Sequence, residues 1–386
     1  MPNRKTPSDS SFLSQTSRRD FLKMAGGAAL TLVIASVVSS PVSVSAASET
    51  ASKAAGKRSL AAGPPVAEVP IIWIQAGSCS GCSVSFLNTM NPKVQNIVLD
   101  ELVPGVHVTL QFHQTLMAGQ GDIAMEAMYR AEDLYAGKFI LVAEGSFSTK
   151  DDGIYCRLGE KDGQEVTALE HLLRLSRKAM AVVAIGACAT FGGIPAAKPN
   201  PTGCKGVREI LRENDINTPV INTPGCPVHP DWVVGTLAMA LVEGLDKIEV
   251  DEFARPKRFY GTLVHDNCPR RKYYDVGQFA TKLSDPYCLY ALGCKGPMTH
   301  ADCPTRLWNS GTNWCIGCNS PCIGCTDPSY PDGTSPIYEK FSNANDVVTY
   351  VGLGLGGAAV AGIIAHAAGS AAAGRFSGEE KKGGKK

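Results

Sequence analysis

Apolar residues between positions 66 and 250 follow two alternating patterns. Short runs of consecutive apolar residues, typical of strands buried on both faces, occur at 69–77, 106–113, 138–145, 179–186 and 218–225. Stretches between these runs have helical spacing instead; in 165–179, Val166, Leu169, Leu172 and Leu173 recur on one side. The alternation predicts an α/β domain, with a parallel sheet covered by helices on both faces.

The pattern changes after residue 255. Strand-like runs disappear, Gly, Pro and Asn become frequent, and eight of the 14 cysteines fall between Cys268 and Cys325. A segment with so few apolar runs cannot build a large core of its own, and metal–thiolate bonds are the obvious means of holding it together. We therefore expect one domain at 66–250 and a second, irregular one at 251–340.

The first 46 residues have the features of an export signal. Arg18 and Arg19 precede Phe21-Leu22-Lys23, a modest apolar run extends from Met24 to Val38, and small residues follow. This pattern predicts a twin-arginine signal peptide, followed by a linker at 47–65. The twin-arginine route exports folded proteins, so thiolates can bind metal before they reach an oxidising compartment. Metal sites thus become a better interpretation of the cysteines than disulfides.

Residues 347–373 contain no charged side chain and are followed by a lysine-rich tail at 374–386. Twenty-seven such residues are enough to cross a bilayer, and the trailing lysines favour a cytoplasmic end. A C-terminal membrane anchor is the prediction, with a flexible Ala/Gly tail as the alternative. His366 lies within this segment and either contacts a membrane partner or has no role.

Overall charge adds little to this picture. The net charge of the 386-residue chain is +1, which indicates no nucleic-acid partner.

Four cysteines follow predicted strands of the first domain. Cys79 and Cys82 come after the first strand, Cys188 after a later one, and Cys226 after the strand at 218–225. The carboxyl ends of parallel strands meet at one edge of the sheet, where such folds bind ligands. Four thiolates there predict a 4Fe–4S cluster or a tetrahedral zinc ion.

The second domain carries further ligand types. His265 and Cys268 are separated by two residues, and Cys288 and Cys294 follow. One histidine with three cysteines suits either zinc or an iron–sulfur cluster. Cys303 comes next, and the stretch NWCIGCNSPCIGC then carries Cys315, Cys318, Cys322 and Cys325.

Taken together and in this order, the motifs resemble one known family, the small subunits of nickel–iron hydrogenases, over nearly all of residues 17–340. The motifs are the twin-arginine leader, CSGCSVSFLN, VAEGS, GACATFGGIPAA, PGCPVHPDW, HDNCPR, LGCKGP and NWCIGCNSPCIGC. The resemblance implies a flavodoxin-like, doubly wound sheet followed by an irregular iron–sulfur domain.

The resemblance also implies three iron–sulfur clusters in a row. A proximal 4Fe–4S cluster is expected on Cys79, Cys82, Cys188 and Cys226. A distal 4Fe–4S cluster is expected on His265, Cys268, Cys288 and Cys294. A medial cluster, commonly 3Fe–4S in such proteins, is expected on Cys303, Cys322 and Cys325.

The chain departs from the family pattern at Cys315, where a proline usually follows the tryptophan. A cubane keeps its fourth iron only if a ligand faces it, so we expect Cys315 to give a medial 4Fe–4S cluster, as in the selenium-containing branch. Whether Cys315 or Cys318 faces that iron stays open at this point. Cys156, Cys204 and Cys318 remain as spare thiols, and Glu144 either tunes the proximal cluster, relays protons or has a structural role.

Another expectation concerns oxygen. Oxygen-tolerant relatives carry two extra cysteines near the proximal cluster, and the matching positions here are Gly81 and Gly193. An ordinary proximal cluster and an oxygen-sensitive enzyme are therefore expected.

The resemblance implies an oxidoreductase of two subunits. The nickel–iron centre belongs to a partner large subunit, and this chain carries electrons between that centre and an external acceptor, either a membrane cytochrome b or a soluble cytochrome c. Two other classes compete. One is an electron-transfer subunit of a complex I-like assembly, which lacks the medial and distal motifs. The other is a secreted zinc or disulfide scaffold.

Overall fold

The computed structural model describes residues 67–99, 101–103 and 106–338. The strands are β1 (Ala67–Gln75), β2 (Glu101–Val103), β3 (Val106–His113), β4 (Ile140–Glu144), β5 (Phe147–Ser148), β6 (Arg157–Lys161), β7 (Gln164–Thr167), β8 (Ala181–Ile185), β9 (Cys204–Lys205) and β10 (Val220–Thr223). The α-helices up to residue 250 are α1 (Gly81–Leu87), α2 (Val94–Leu99), α3 (Asp122–Leu134), α4 (Ala168–Lys178), α5 (Gly186–Phe191), α6 (Gly193–Ala196), α7 (Val207–Glu213) and α8 (Pro230–Val242). Beyond residue 250 they are α9 (Lys257–Tyr260), α10 (Arg271–Asp275) and α11 (Cys303–Arg306). Short 3₁₀ turns lie at Lys150–Gly153, Leu245–Lys247, Leu289–Leu292, Gly296–Met298, Ile316–Cys318 and Asp332–Thr334.

The central sheet has the order β10-β8-β4-β1-β3-β2. Its first five strands are parallel, and only β2 runs antiparallel, against β3. The five parallel strands can be numbered 1 to 5 along the chain, and the sheet can be read from β3 toward β10. The order is then 2-1-3-4-5, which is that of flavodoxin-like folds. The strand order reverses between β1 and β4, so the carboxyl ends of these strands are the expected ligand edge. The predicted flavodoxin-like α/β class is confirmed.

Both faces of the sheet are covered. Ile71 and Trp73 point to one side, where they join a buried cluster that includes Trp232 of α8. Ile72 and Ile74 point to the other side and belong to a second cluster with Leu172 of α4. Successive residues of a strand face opposite ways, and here both sets are apolar. The continuous apolar runs in the sequence follow from this double burial.

The five predicted strands correspond to the five parallel strands of the sheet. The run at 106–113 coincides with β3, and the others differ from the observed ends by no more than two residues. The helix predicted within 165–179 is α4, which begins later than the apolar spacing suggests. It begins at Ala168 because Thr167 caps it by accepting a hydrogen bond from the Glu170 amide at 3.1 Å. Val166 consequently lies in β7 rather than in the helix.

The two edges of the central sheet end differently. The β2 edge is a strand of only three residues. Along the β10 edge, the Asn222 amide donates to the Ala254 carbonyl and its side-chain Nδ2 donates to the Phe253 carbonyl, both at 2.8 Å. Each edge is therefore either short or paired with a neighbouring segment.

From Lys257 onward, the described residues form only helices and turns of three to five residues. Their apolar side chains join the α8-side core instead of forming one of their own, as Leu289, Ala301 and Trp314 do. The irregular character predicted for this segment is confirmed, while the boundaries of the two predicted domains remain predictions.

Hydrogen bonds from the start of α8 fix the irregular segment to the sheet. His229 accepts from the Asp231 amide through Nδ1, and its Nε2–H donates to the Leu307 carbonyl at 2.7 Å. Trp232 Nε1 donates to the Asp302 carboxylate at 2.8 Å. Asp302 precedes Cys303, so the motif PVHPDW positions a cysteine that lies more than 70 residues further along the chain.

The predicted signal peptide at 1–46, linker at 47–65, membrane anchor at 347–373, basic tail at 374–386 and His366 lie outside the described residues. Within 67–99, 101–103 and 106–338, no helix combines the length and apolar character needed to span a bilayer.

Substitutions in α4 and α3 test the buried cluster that covers the Ile72 and Ile74 side of the sheet. Leu172 is fully buried against the sheet, so Leu172→Ala removes apolar contacts and leaves a cavity, which is expected to lower the free energy of unfolding by about 2–5 kcal/mol. Leu134→Ala is the control, because Leu134 is 62% exposed, and a change within about 0.5 kcal/mol is expected. Anaerobic urea denaturation followed by circular dichroism measures both. Equal effects of the two substitutions would contradict this account of the core.

Candidate metal centres

The four predicted proximal cysteines meet at the carboxyl edge of the sheet. Cys79 follows β1, Cys82 lies in α1, Cys188 lies in α5 directly after β8, and Cys226 follows β10. Burial raises the pKa of Cys188 to about 12, and the neighbouring Cys226 and Cys79 thiols add to that increase. The pKa of Cys82 is raised in the same way, first by burial and then by Glu144, Cys188 and Cys226. The four sulfurs therefore form one electrostatic group.

Gly186 allows the backbone after β8 to come close to the Cys82 sulfur. Gly186 has a φ of +80°, and a Cβ at that position would lie 2.5 Å from the Cys82 sulfur. A side chain there would displace Cys82, so the backbone at the start of α5 can approach the thiol only as glycine.

Glu144 occupies the centre of a buried hydrogen-bond network at the same edge. Its Oε2 accepts from Trp73 Nε1 and Gln75 Nε2, both at 3.1 Å, and from Ser83 Oγ at 2.5 Å. Its Oε1 accepts from Ser78 Oγ at 3.1 Å and from the Ser83 amide at 3.2 Å. The carboxylate thus ties the end of β4 to β1 and to the helix that carries Cys82. Positioning these elements is the role that the structure supports for this residue.

The predicted medial cysteines surround a cavity of about 330 Å³. Six cysteines line it: Cys226 of the proximal group, and Cys303, Cys315, Cys318, Cys322 and Cys325. Much of the remaining wall is apolar, including Trp308, Trp314 and Ile323. The loop held by α8 thus brings Cys303 to the cysteines of the later motif.

Electrostatic contacts separate Cys315 from Cys318. The pKa of Cys303 is raised first by burial and then by Cys325, Cys322 and Cys315. Cys315 likewise contributes to the raised pKa of Cys325, after burial. The thiol neighbour of Cys318 is Cys315 itself. Cys315 therefore belongs to the group with Cys303, although both Cys315 and Cys318 line the cavity and are exposed.

Three of the predicted distal ligands also come together. Burial raises the pKa of Cys288 to about 11, and the Cys294 and Cys268 thiols raise it further. His265 is joined to Cys268 by a turn in which the Cys268 amide donates to the His265 carbonyl at 3.3 Å. Its ring packs edge-on against Tyr274, with 4.5 Å between ring centroids. The turn joins the His265 backbone to that of Cys268, while the ring contact of His265 is with Tyr274.

Two contacts connect the three thiol groups. Cys226 lines the same cavity as the medial cysteines, which links the proximal and medial groups. The Cys322 amide donates to the sulfur of Cys294 at 3.4 Å, which links the medial and distal groups. The medial group therefore lies between the other two and contacts both.

Comparison with known proteins identifies the family. The model for the C-terminal domain of the NiFe/NiFeSe hydrogenase small subunit matches residues 260–338, and the model for the 20 kDa subunit of NADH ubiquinone oxidoreductase matches residues 79–240. The periplasmic [NiFeSe] hydrogenase small subunit of Desulfomicrobium baculatum is 41% identical over 332 residues, covering 83% of this chain and 98% of the relative. The chain belongs to the nickel–iron hydrogenase small-subunit family.

Further relatives agree with this assignment. The periplasmic [NiFe] hydrogenase small subunit 1 of Nitratidesulfovibrio vulgaris is 39% identical, covering 84% of this chain and 93% of the relative. The solved [NiFeSe] hydrogenase of Desulfomicrobium baculatum superimposes with a TM-score of 0.67 at 43% identity, covering 71% of this chain and 99% of that one. This hydrogenase small subunit is therefore part of an oxidoreductase that acts on H2, and the complex I-like alternative explains only its first domain.

The thiol groups of this hydrogenase small subunit fit the iron–sulfur clusters that its family implies. Buried thiolates need positive charge nearby, which bound iron supplies, and burial raises the pKa of most of the grouped thiols. Among the described residues, no three His, Cys, Asp or Glu side chains approach closely enough for a single metal ion. In a four-iron cluster, each thiolate binds a different iron.

Backbone groups act against the effect of burial at several thiols of the small subunit. Burial raises the pKa of Cys82, Cys288 and Cys294, and the backbone of Val228, Tyr290 and Gly296, respectively, lowers it in part. Backbone donors stabilise the negative charge of a thiolate or a reduced cluster.

Two spare thiols of the small subunit lie apart from the three groups. Cys204 is in β9 and Cys156 precedes β6, and the raised pKa of Cys156 has burial and the nearby Cys204 thiol as its causes. The two cysteines are therefore neighbours of each other.

Sequence patterns do not mark one residue near the proximal thiols. Tyr330 is buried, and its pKa is raised first by that burial and then by the Cys226, Cys325 and Cys188 thiols. It lies in the Pro/Ser-rich stretch TDPSYPDG, where no local pattern marks a tyrosine as part of a site.

The Glu144 network predicts a large effect of one substitution. Glu144→Ala leaves the buried Trp73, Gln75 and Ser83 donors without their acceptor, at a cost of about 1–3 kcal/mol for each unsatisfied group. We expect a loss of about 3 kcal/mol or more in the free energy of unfolding, measured by anaerobic urea denaturation. Glu68→Ala is the control, because Glu68 is exposed and its carboxylate has one exposed partner, Thr109. A Glu144→Ala protein as stable as this control would rule out the positioning role.

Proposed function

We propose that this chain conducts electrons between the H2-activating site of a partner large subunit and an external acceptor through three iron–sulfur clusters, in reversible H2 oxidation. Cys79, Cys82, Cys188 and Cys226 would hold the proximal 4Fe–4S cluster. Cys303, Cys315, Cys322 and Cys325 would hold the medial one, and His265, Cys268, Cys288 and Cys294 the distal 4Fe–4S cluster.

The observation that carries this proposal is the position of the medial thiol group between the other two. Cys226 of the proximal group lines the medial cavity, and the Cys322 amide of the medial group donates to the sulfur of Cys294 in the distal group at 3.4 Å. Iron–sulfur clusters supply reversible one-electron carriers, and an ordered row with short contacts is what a relay requires. The residues of this chain would hold the carriers and stabilise their charge.

The positions of the proximal and distal groups suggest which end of the row would face each partner. The proximal group lies at the sheet edge, where this fold class binds ligands, and would face the large subunit with its nickel–iron centre. The distal group would be the exit, with the partly exposed His265 at the surface. The acceptor there would be a membrane cytochrome b or a soluble cytochrome c. A protein exported by the twin-arginine route and anchored by residues 347–373 would favour the membrane partner.

The medial cluster type gives a direct test. In the wild-type complex, purified anaerobically and then oxidised, EPR is expected to show no stoichiometric 3Fe–4S signal, because Cys315 supplies a fourth ligand. Cys315→Pro is expected to generate that signal at about one spin per molecule, with iron content falling by one atom. Proline suits the position, since Cys315 has a φ of −49°.

Cys318→Ser is the matched control for this experiment, because Cys318 lines the same cavity as Cys315. Wild-type spectra are expected for it. A 3Fe–4S signal in Cys318→Ser but not in Cys315→Pro would transfer the ligand role to Cys318. A strong 3Fe–4S signal in the wild type would overturn the four-iron assignment, and metal analysis of the same preparation checks the partner's nickel.

Oxygen sensitivity is a further expected property. Neither position that matches an extra cysteine in oxygen-tolerant relatives has room for a side chain. A Cβ on Gly81 would lie 3.0 Å from the Cys79 sulfur, and one on Gly193, whose φ is +55°, would lie 2.8 Å from the Cys188 amide nitrogen. H2-oxidation current on an electrode is therefore expected to disappear when air is admitted. A current that persists in air would contradict an ordinary proximal cluster.

A further inference from the structure

His113 is a buried histidine at the end of β3, and it contacts the hydrogen-bond network of Glu144. Its Nδ1 accepts a hydrogen bond from the Thr115 amide at 3.1 Å, so this nitrogen carries no proton. The proton of the neutral ring is therefore on Nε2, which lies 3.2 Å from Ser83 Oγ and donates to it. Burial lowers the pKa of His113 to about 4, despite the opposing effect of Glu144, so the ring is neutral at neutral pH.

The hydroxyl of Ser83 has a single orientation in this network. Its oxygen accepts from His113 Nε2 and from Gln75 Nε2, the latter at 2.7 Å. Its one proton is donated to Glu144 Oε2 at 2.5 Å. A hydroxyl can turn about its C–O bond, and two donors on its oxygen leave the proton only one direction in which to point. The donor at His113 thus helps to decide where the Ser83 proton points.

His113 also packs against a second donor to Glu144. Its ring centroid lies 4.8 Å from that of Trp73, whose Nε1 donates to Glu144 Oε2 at 3.1 Å. Ser83 follows Cys82 directly in α1, and its amide donates to Glu144 Oε1 at 3.2 Å. Glu144 acts in turn on the Cys82 thiol, whose pKa it raises after burial has done so. A side chain of β3 is thus connected, through Ser83 and Glu144, to a cysteine predicted for the proximal cluster.

We propose that His113 is a positioning residue of the proximal site, whose Nε2–H holds the Ser83 hydroxyl toward Glu144. This proposal rests on the proposed function, because it takes Cys82 as a ligand of the proximal cluster. Reduction adds one negative charge to a cluster, and a nearby carboxylate opposes that addition. Each hydrogen bond that the carboxylate accepts spreads its charge and weakens this opposition. By keeping the Ser83 donor in place, His113 raises the reduction potential of the cluster without binding iron.

His113→Phe tests this in the purified heterodimer, because phenylalanine keeps a planar ring and removes the Nε2 donor. The proximal midpoint potential, from an EPR-monitored redox titration, is expected to become more negative. A tenfold fall in the ratio of reduced to oxidised cluster at a fixed applied potential corresponds to about 59 mV for one electron. His113→Gln is expected to restore most of the wild-type midpoint, because its side-chain amide can place a donor near the position of Nε2.

Ser83→Ala distinguishes a role through Ser83 from a role in packing. The single variant is expected to shift the proximal midpoint in the same direction as His113→Phe. Adding His113→Phe to Ser83→Ala is expected to change the midpoint little further, because the hydroxyl that the histidine orients is already absent. Shifts that simply add would show that His113 acts independently of Ser83 and would overturn the proposal. An unchanged midpoint in His113→Phe, with its clusters intact, would overturn it as well.

His171→Phe is the matched control for His113→Phe. His171 is also fully buried, its Nδ1 accepts from Arg174 at 2.9 Å, and its Nε2–H donates to the Leu158 carbonyl at 2.8 Å. It lies in α4, which covers the side of the sheet opposite to Trp73. A lower free energy of unfolding with a wild-type proximal midpoint is expected. A proximal shift as large as that of His113→Phe would assign the effect to a general loss of packing.

Two milder variants cover the case in which His113→Phe loses its clusters. Ser83→Ala is then expected to have a more negative proximal midpoint, and His113→Gln to stay close to wild type. A wild-type midpoint in Ser83→Ala, or a shift in His113→Gln as large as that of Ser83→Ala, would count against the chain from His113 to Glu144. The wild-type spectrum separates the two levels of inference, because the absence of a proximal 4Fe–4S signal there would refute the proposed function itself.

Discussion

Burial of cysteine sulfur governs the organisation of this chain. A thiolate loses most of its hydration when it enters a protein interior, and burial accordingly raises the pKa of Cys188 and Cys325 to about 12. Such groups become stable ligands only where positive charge and N–H donors replace the lost water. Iron would supply the charge, and the Cys322 amide, which donates to the sulfur of Cys294, supplies part of the donor set. The irregular backbone of the second segment allows amides to point inward, as a regular helix or strand would not.

The flavodoxin-like sheet acts as the rigid support for this irregular segment. The start of α8 bonds Leu307 through His229 and Asp302 through Trp232, and so fixes the loop that carries Cys303. On the other side of the segment, Arg255 donates to the Thr326 carbonyl at 2.9 Å, next to Cys325. Two cysteines of the medial group are thus positioned by side chains that precede the irregular segment, which begins at Lys257. Precise sites can be built on loops when rigid elements hold the loops at several points.

Sequence patterns predicted the five parallel strands and the thiols that follow them, because double burial produces continuous apolar runs. They missed β2, β5, β6, β7 and β9, which have two to five residues each and depend on tertiary contacts rather than on periodicity. Local spacing alone would have grouped the four cysteines of NWCIGCNSPCIGC. Cys303 joined Cys315, Cys322 and Cys325 through family resemblance, and the structure supplies the physical reason in the α8 contacts. Tyr330 could not be predicted, since the Cys226 thiol that acts on it lies more than 100 residues away in the chain.

The edges of the central sheet bear on how this chain behaves at high concentration. Unpaired strand edges are templates on which a second copy can add its own strands, which leads to aggregation. In the part of the chain that the structure describes, one edge is the three-residue β2 and the other is occupied by Asn222 in its bonds to Phe253 and Ala254. Neither edge of this sheet offers a long open ladder, so self-association through strand addition is disfavoured by the architecture itself.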